Sequence, residues 1–214
     1  MSKTEWYRRT TWSDADREDF NAHLKRSRGA GNKSQYLRIQ AAHLAEAGHH
    51  AAAIELLERL FAESPQRIEF AQAHTQMADS LAKLEKIEPA IREYRLALQI
   101  ERDFPNVRTN AWLYFGWFVV ERQLTGLYDE VLRVLQEFRG DGGFEFLAVE
   151  YRYAVIQALL ADDRGEKARA REFAQKALAE AVKGHSGLRY HPMVGLVGPE
   201  RNTFESRLMA LAGS

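Results

Sequence analysis

Seven histidines are the first residues in this chain that could do chemistry. A metal ion or an acid–base mechanism needs them close to one another or to carboxylates. His49 and His50 are adjacent in a turn, so they cannot both face one ion from the same side. His43 and His74 fall in separate helical stretches with no carboxylate cluster beside them. No HExxH, no paired Glu-x-x-His and no serine elbow is present. The chain has no Cys, so disulfides and thiolate metal sites are excluded. We expect no metal, no cofactor and no catalytic residue.

Two further words carry reactive side chains. His185-Ser186-Gly187-Leu188-Arg189-Tyr190-His191-Pro192 gathers hydrogen-bonding groups in a loop, where binding residues often lie. His185, Arg189, Tyr190 and His191 are its candidate site residues. The bland alternative is a structured cap with Leu188 and Tyr190 packed inward. Lys25-Arg26-Ser27-Arg28 with Lys33 is the densest positive cluster. The neighbouring Gly29-Ala30-Gly31-Asn32-Lys33-Ser34 fails as a phosphate loop: Asn32 takes a required Gly position and a helix, not a strand, precedes it. Cations at a helix C-terminus also favour the helix dipole.

The 214 residues allow one or two domains with a sizeable core. Lys and Arg total 30, as do Asp and Glu. This balance argues against a dedicated nucleic-acid binder, which needs an excess of positive charge. The start MSKTEWYRRTTW contains no signal-peptide core. The longest apolar run, Ala111 to Val120, is ten residues, against the roughly 20 that a membrane span needs. We expect a cytoplasmic protein with no membrane association.

The elements follow from apolar spacing and breakers. Ser13 and Asp16 form a capping pair ahead of a helix from about 14 to 28. Helices are then expected at about 34–47, 51–63, 67–86, 89–102, 111–123, 128–138, 144–161, 166–182 and 200–211. Gly29 to Asn32, Gly48 to His50, Pro65, Pro105, Thr125-Gly126 and Gly140 to Gly143 punctuate them. No strand-like alternation of any length is present.

Within this frame one pattern recurs. Ser34 to Pro65 carries Leu37, Ala41 and Leu44, then Gly48, then Ala53, Leu57 and Leu60. A second copy carries Met77, Ala78 and Leu81, then Ala90, Tyr94, Ala97 and Leu98; another ends in Ala170, Ala174, Ala177 and Leu178. The words AAAIELLERLFAESP (51–65) and PAIREYRLALQIERDFP (89–105) are the strongest. On these residues the chain resembles tetratricopeptide-repeat proteins over about 34–182. The small pairs Ala41 with Ala53 and Ala78 with Ala90 sit where that family brings two helices close. A third copy puts Val119 and Val131 there. The anchors Ala53, Ala90, Val131 and Ala170 lie 37, 41 and 39 residues apart, longer than the usual period of about 34.

The resemblance implies an all-α, right-handed solenoid of antiparallel helix pairs. We divide it into an N-terminal capping helix and linker (1–33), about four helix pairs (34–183), and a C-terminal loop and capping helix (184–214). It also implies a concave groove lined by the first helix of each pair. The groove positions are Gln35, Arg38, Ala42, Gln72, Thr75, Asp79, Leu113, Gly116, Val120, Arg152 and Val155. Arg38 and Arg152 would fork onto a carboxylate, Asp79 would add polar recognition, and Leu113 and Val120 would form an apolar floor. Gly116 would leave room for an entering side chain. The opposing reading buries the whole Ala111–Val120 helix, as is usual for a helix apolar all round.

The expected function is a non-enzymatic adaptor that binds a peptide or helix of another protein. The alternative is a self-associating, homodimeric repeat module; an enzyme with its site in the 185–191 loop comes third.

Overall fold

The computed structural model describes residues 6–64, 67–139 and 146–213. Among these residues there are ten α-helices and no strand. The chain divides into two compact units between Ala111 and Trp112, a boundary that falls inside the expected repeat segment.

The first unit holds α1 (Asp14–Arg26), α2 (Ala30–Glu46), α3 (His50–Glu63), α4 (Phe70–Lys83) and α5 (Ile87–Asp103). The Ser13–Asp16 capping box forms as expected. The Asp16 N–H donates to Ser13 Oγ (3.2 Å) and the Ser13 N–H donates back to the Asp16 carboxylate (3.0 Å). This satisfies two of the free donors at a helix start. The expected break at Gly29 to Asn32 narrows to Gly29 alone. Its positive φ of 84° turns the chain, and α2 starts at once, so Gly31 and Asn32 lie in its first turn. A 3-10 turn, Arg67–Glu69, precedes α4, and Pro89 occupies the first turn of α5, where its missing N–H costs nothing. The stop read at Pro65 lies outside the described residues.

Consecutive helices pack on one another: α2 on α3, α3 on α4, and α4 on α5. Small residues set the approach. Ala41, Ala53, Ala78 and Ala90 are all at most 1% exposed. Leu37, Leu44, Leu57 and Leu60 fill the space around the first pair. Burial of such side chains contributes about 1.5–3 kcal/mol each.

Ahead of α1, the segment from Trp6 folds back on this core. Trp6 packs on Phe20, His23 and Tyr36, with ring centroids 4.8–5.4 Å apart. Gln40 is fully buried. It accepts the Arg9 N–H (3.0 Å) and donates to the Arg9 carbonyl (2.8 Å), like a short rung of sheet.

The second unit holds α6 (Ala111–Glu121), whose first residue closes the first unit, α7 (Tyr128–Phe138), α8 (Leu147–Asp163), α9 (Lys167–Ala181) and α10 (Glu205–Gly213). Helices α8 and α9 pack together, and α10 packs on α9 and α8. Val119, Val131, Ala170, Ala174 and Ala177 are fully buried. The Gly140–Gly143 break lies outside the described residues. The final helix starts at Glu205 rather than 200, because residues 199–202 form a 3-10 turn. No helix among the described residues is long and apolar enough to cross a membrane.

Candidate functional site

In the first unit, the groove positions lie on α2 and α4. Gln35 and Gln72 are exposed and Ala42 is half-buried. Arg38 is engaged from within the chain: its Nε donates to the Glu69 carboxylate, and the two side chains are only 15% and 20% exposed. An incoming carboxylate must therefore compete with Glu69. Thr75 is buried and donates to the Ala71 carbonyl one turn back (3.0 Å), so it presents nothing to a ligand. Asp79 accepts the Tyr94 hydroxyl.

In the second unit, the apolar floor is core instead of surface. Leu113 and Val120 are 1% and 2% exposed, and Val155 is fully buried. Gly116 leaves no opening for a guest side chain, because Ile156 and Val131 already fill the space beside it. Helix α6 is apolar all round and buried on most sides; its half-buried positions in the run are Tyr114 and Trp117.

A cluster of polar and aromatic groups in this unit lies where α6 and α8 meet the chain after Gly198, with Tyr151 itself only 1% exposed. Arg152 on α8 donates to Glu200 (3.3 Å), and its guanidinium lies 4.8 Å from the Tyr114 ring centroid. Tyr151 donates its hydroxyl to the Arg201 carbonyl (3.1 Å). Burial, with Glu200 and Glu205 adding to it, pushes the Tyr151 phenol up to about 12, so it remains a donor at neutral pH. Trp117 meets the Phe204 ring edge-on at 5.0 Å. Of these residues the sequence singled out only Arg152. The others were hidden because the α6 run had no polar side to orient it, and tail residues far along the chain share no period with the helices.

Ion pairs brace the same unit. Glu150 accepts Arg139 (3.1 Å to each oxygen) and Lys176 (2.6 Å). Burial alone would raise its pKa, but these two cations hold it below the usual range. Arg207 at the start of α10 grips Asp162 (2.8 Å) and Asp163 at the end of α8. Arg207, with Lys167, keeps the Asp162 carboxyl below its ordinary value. The Tyr128 hydroxyl donates to Asp163 (2.7 Å) and is itself pushed up to about 12, mainly by burial.

The tail-loop candidates are placed together but face outward. His185, Arg189, Tyr190 and His191 are exposed. Ser186 organises the loop, donating its hydroxyl to the His191 carbonyl and its N–H to the Pro192 carbonyl (both 2.8 Å). The Arg189 guanidinium lies over the Tyr190 ring at 5.3 Å. Among the described residues no group of three or more histidines and acids could hold a metal ion. His74 pairs with Glu93 (2.6 Å) and stacks on Phe61. Burial, with Lys83 nearby, lowers the His50 pKa. Lys25 and Lys33 line a cleft with Arg59 and Glu63 in the first unit, where Arg59 is already held by Glu63 and Asn21 (2.6 Å each).

No family model, curated protein or solved structure matches this chain.

Proposed function

We propose that this chain is a non-enzymatic protein-interaction module of the tetratricopeptide-repeat type, with right-handed helix pairs that hold a peptide or helix of another protein. One observation carries this reading. The small or β-branched residues expected at the helix crossings, Ala41, Ala53, Ala78, Ala90, Val119, Val131 and Ala170, are all at most 1% exposed. Helices brought together this way present faces rather than an enclosed pocket, and faces suit extended partners. On the first unit, Gln35 on α2 and Gln72 on α4 supply exposed amides, and the Arg38–Glu69 pair ties α2 to the turn before α4. A carboxylate that outcompetes Glu69 gains a charge-assisted bond.

Selection from a displayed random-peptide library tests the reading. The full chain is expected to enrich one class of acidic peptide, and Arg38→Gln to lose that enrichment while keeping its helical circular dichroism. Absence of any enriched class, with a dimer mass that persists on dilution, would replace this reading with self-association.

A further inference from the structure

The segment between Gly195 and Arg207 is pinned at both ends and shallowly seated between them. At one end Gly195 adopts a positive φ of 73°. It lies so close to Phe146 that a Cβ there would come within 2.2 Å of the ring, and its carbonyl accepts the Ala148 N–H at the start of α8 (2.9 Å). At the other end Arg207 holds Asp162 and Asp163, while Leu208 and Leu211 are buried. No residue from 187 to 207 is buried. Pro199, Arg201, Asn202, Thr203, Glu205 and Ser206 all point to solvent. Glu200, Phe204 and the Arg201 carbonyl meet the α6/α8 face, and Leu196, Val197 and Gly198 are half-buried.

These three contacts use three different kinds of recognition. The Arg152 guanidinium, with Tyr114 as an aromatic platform, takes a carboxylate. The Tyr151 hydroxyl takes a main-chain carbonyl one residue later. Trp117 takes an aromatic ring four residues after the acid. None of them reads anything peculiar to this segment, so a free peptide with the same spacing meets the same groups.

We infer that residues 196–204 are a displaceable strap, an internal ligand seated on the Tyr114–Trp117–Tyr151–Arg152 face. The partner that replaces it is a peptide with an Asp or Glu four residues before an aromatic residue. This rests on the interaction reading above and adds to it a second seat, a partner class and a built-in competitor. Because the pins at Gly195 and Arg207 stay in place, the strap can lift while α10 remains docked. The apparent affinity for an outside peptide falls by the fraction of time the strap is closed.

Hydrogen exchange on the unmodified full chain tests the opening directly. The Arg201 and Thr203 amides, which donate to the Gly198 and Glu200 carbonyls, are expected to exchange at least tenfold faster than the Leu211 amide in α10, by local opening. Equal protection would make the strap part of the core and overturn the inference. The seat is tested with a fluorescein-labelled synthetic peptide carrying the sequence of residues 198–206. It is expected to bind the full-length Glu200→Gln/Phe204→Ala variant at least tenfold more tightly than wild type. Adding Arg152→Glu to that variant should abolish the binding. Equal affinity for variant and wild type overturns the inference, as does binding that survives Arg152→Glu. A variant that loses its helical signal also counts against a displaceable strap, and the exchange data on wild type then stand as the independent check. A strap that never opens, in a chain that still selects peptides through Arg38, sinks this inference and spares the interaction reading.

Discussion

Ile156 on α8 fills the place that a side chain at Gly116 on α6 would need. A Cβ at 116 would lie 3.0 Å from Ile156 Cδ1 and 3.3 Å from Val131 Cγ1, tighter than such contacts ordinarily are. Glycine in a helix interior costs about 1 kcal/mol relative to alanine, and here it permits the close approach of three helices. Gly116→Val is therefore expected to destabilise the second unit by about 1–3 kcal/mol through overpacking. Urea unfolding of wild type and variant checks it. Adding Ile156→Val should recover part of the loss, since the two sites share one space and are coupled.

Glu101 offers a second test, in the first unit. It is 4% exposed and accepts the Thr109 N–H (2.7 Å), the Thr109 hydroxyl and, at 3.5 Å, the Ala111 N–H. It thereby folds the chain after α5 back on the helix end. Glu101→Ala leaves the half-buried Thr109 donors and the buried Ala111 N–H without this acceptor and is expected to cost about 1–3 kcal/mol. Glu101→Gln keeps one acceptor oxygen and should cost less than half of that. Thermal unfolding of the two variants, compared with wild type, separates the outcomes; equal losses would mean that the lost charge matters more than the lost acceptor.

Residues such as these mark how far the sequence could be read. The Ser13–Asp16 box, the alanines at helix crossings and the stripe Leu37, Leu44, Leu57, Leu60 were legible because each is local or periodic. Helix periodicity alone places them in a core. The groove was less legible. Register assigned Arg38 and Arg152 to a face, but it could not reveal Glu69 or Glu200, which lie 31 and 48 residues away and obey no period. The α6 run carried no polar side, so Leu113, Gly116 and Val120 could not be told from Tyr114 and Trp117. Gln40 shows the same limit: a polar residue fully buried in α2 makes sense only once the Arg9 backbone is placed beside it.

That pairing is itself testable. Gln40 both donates to and accepts from the Arg9 main chain, so Gln40→Leu leaves the N–H and carbonyl of half-buried Arg9 without these partners. The expected cost is about 2 kcal/mol, with the segment around Trp6 released from Phe20, His23 and Tyr36. The check is a red shift in tryptophan emission at a denaturant concentration where wild type is still native. A variant that loses stability but keeps native emission would show that the aromatic contacts alone hold the segment.

The last expectation concerns alkaline pH. The phenols of Tyr128 and Tyr151 are both pushed up to about 12, each chiefly by burial, while an unfolded chain releases these protons near 10. Between those values the folded chain binds more protons than the unfolded one, so stability must fall as pH rises. The contribution of each tyrosine is intact below pH 10 and is lost on the way to pH 12, with a slope of at most about 1.4 kcal/mol per pH unit. Tyr128→Phe and Tyr151→Phe remove the titrating groups and should each flatten the decline over that window, while lowering stability at pH 7 through the lost bonds to Asp163 and the Arg201 carbonyl. Chemical unfolding at half-unit steps from pH 8 to 12 measures both effects. A decline as steep in the double Phe variant as in wild type would assign it to other groups.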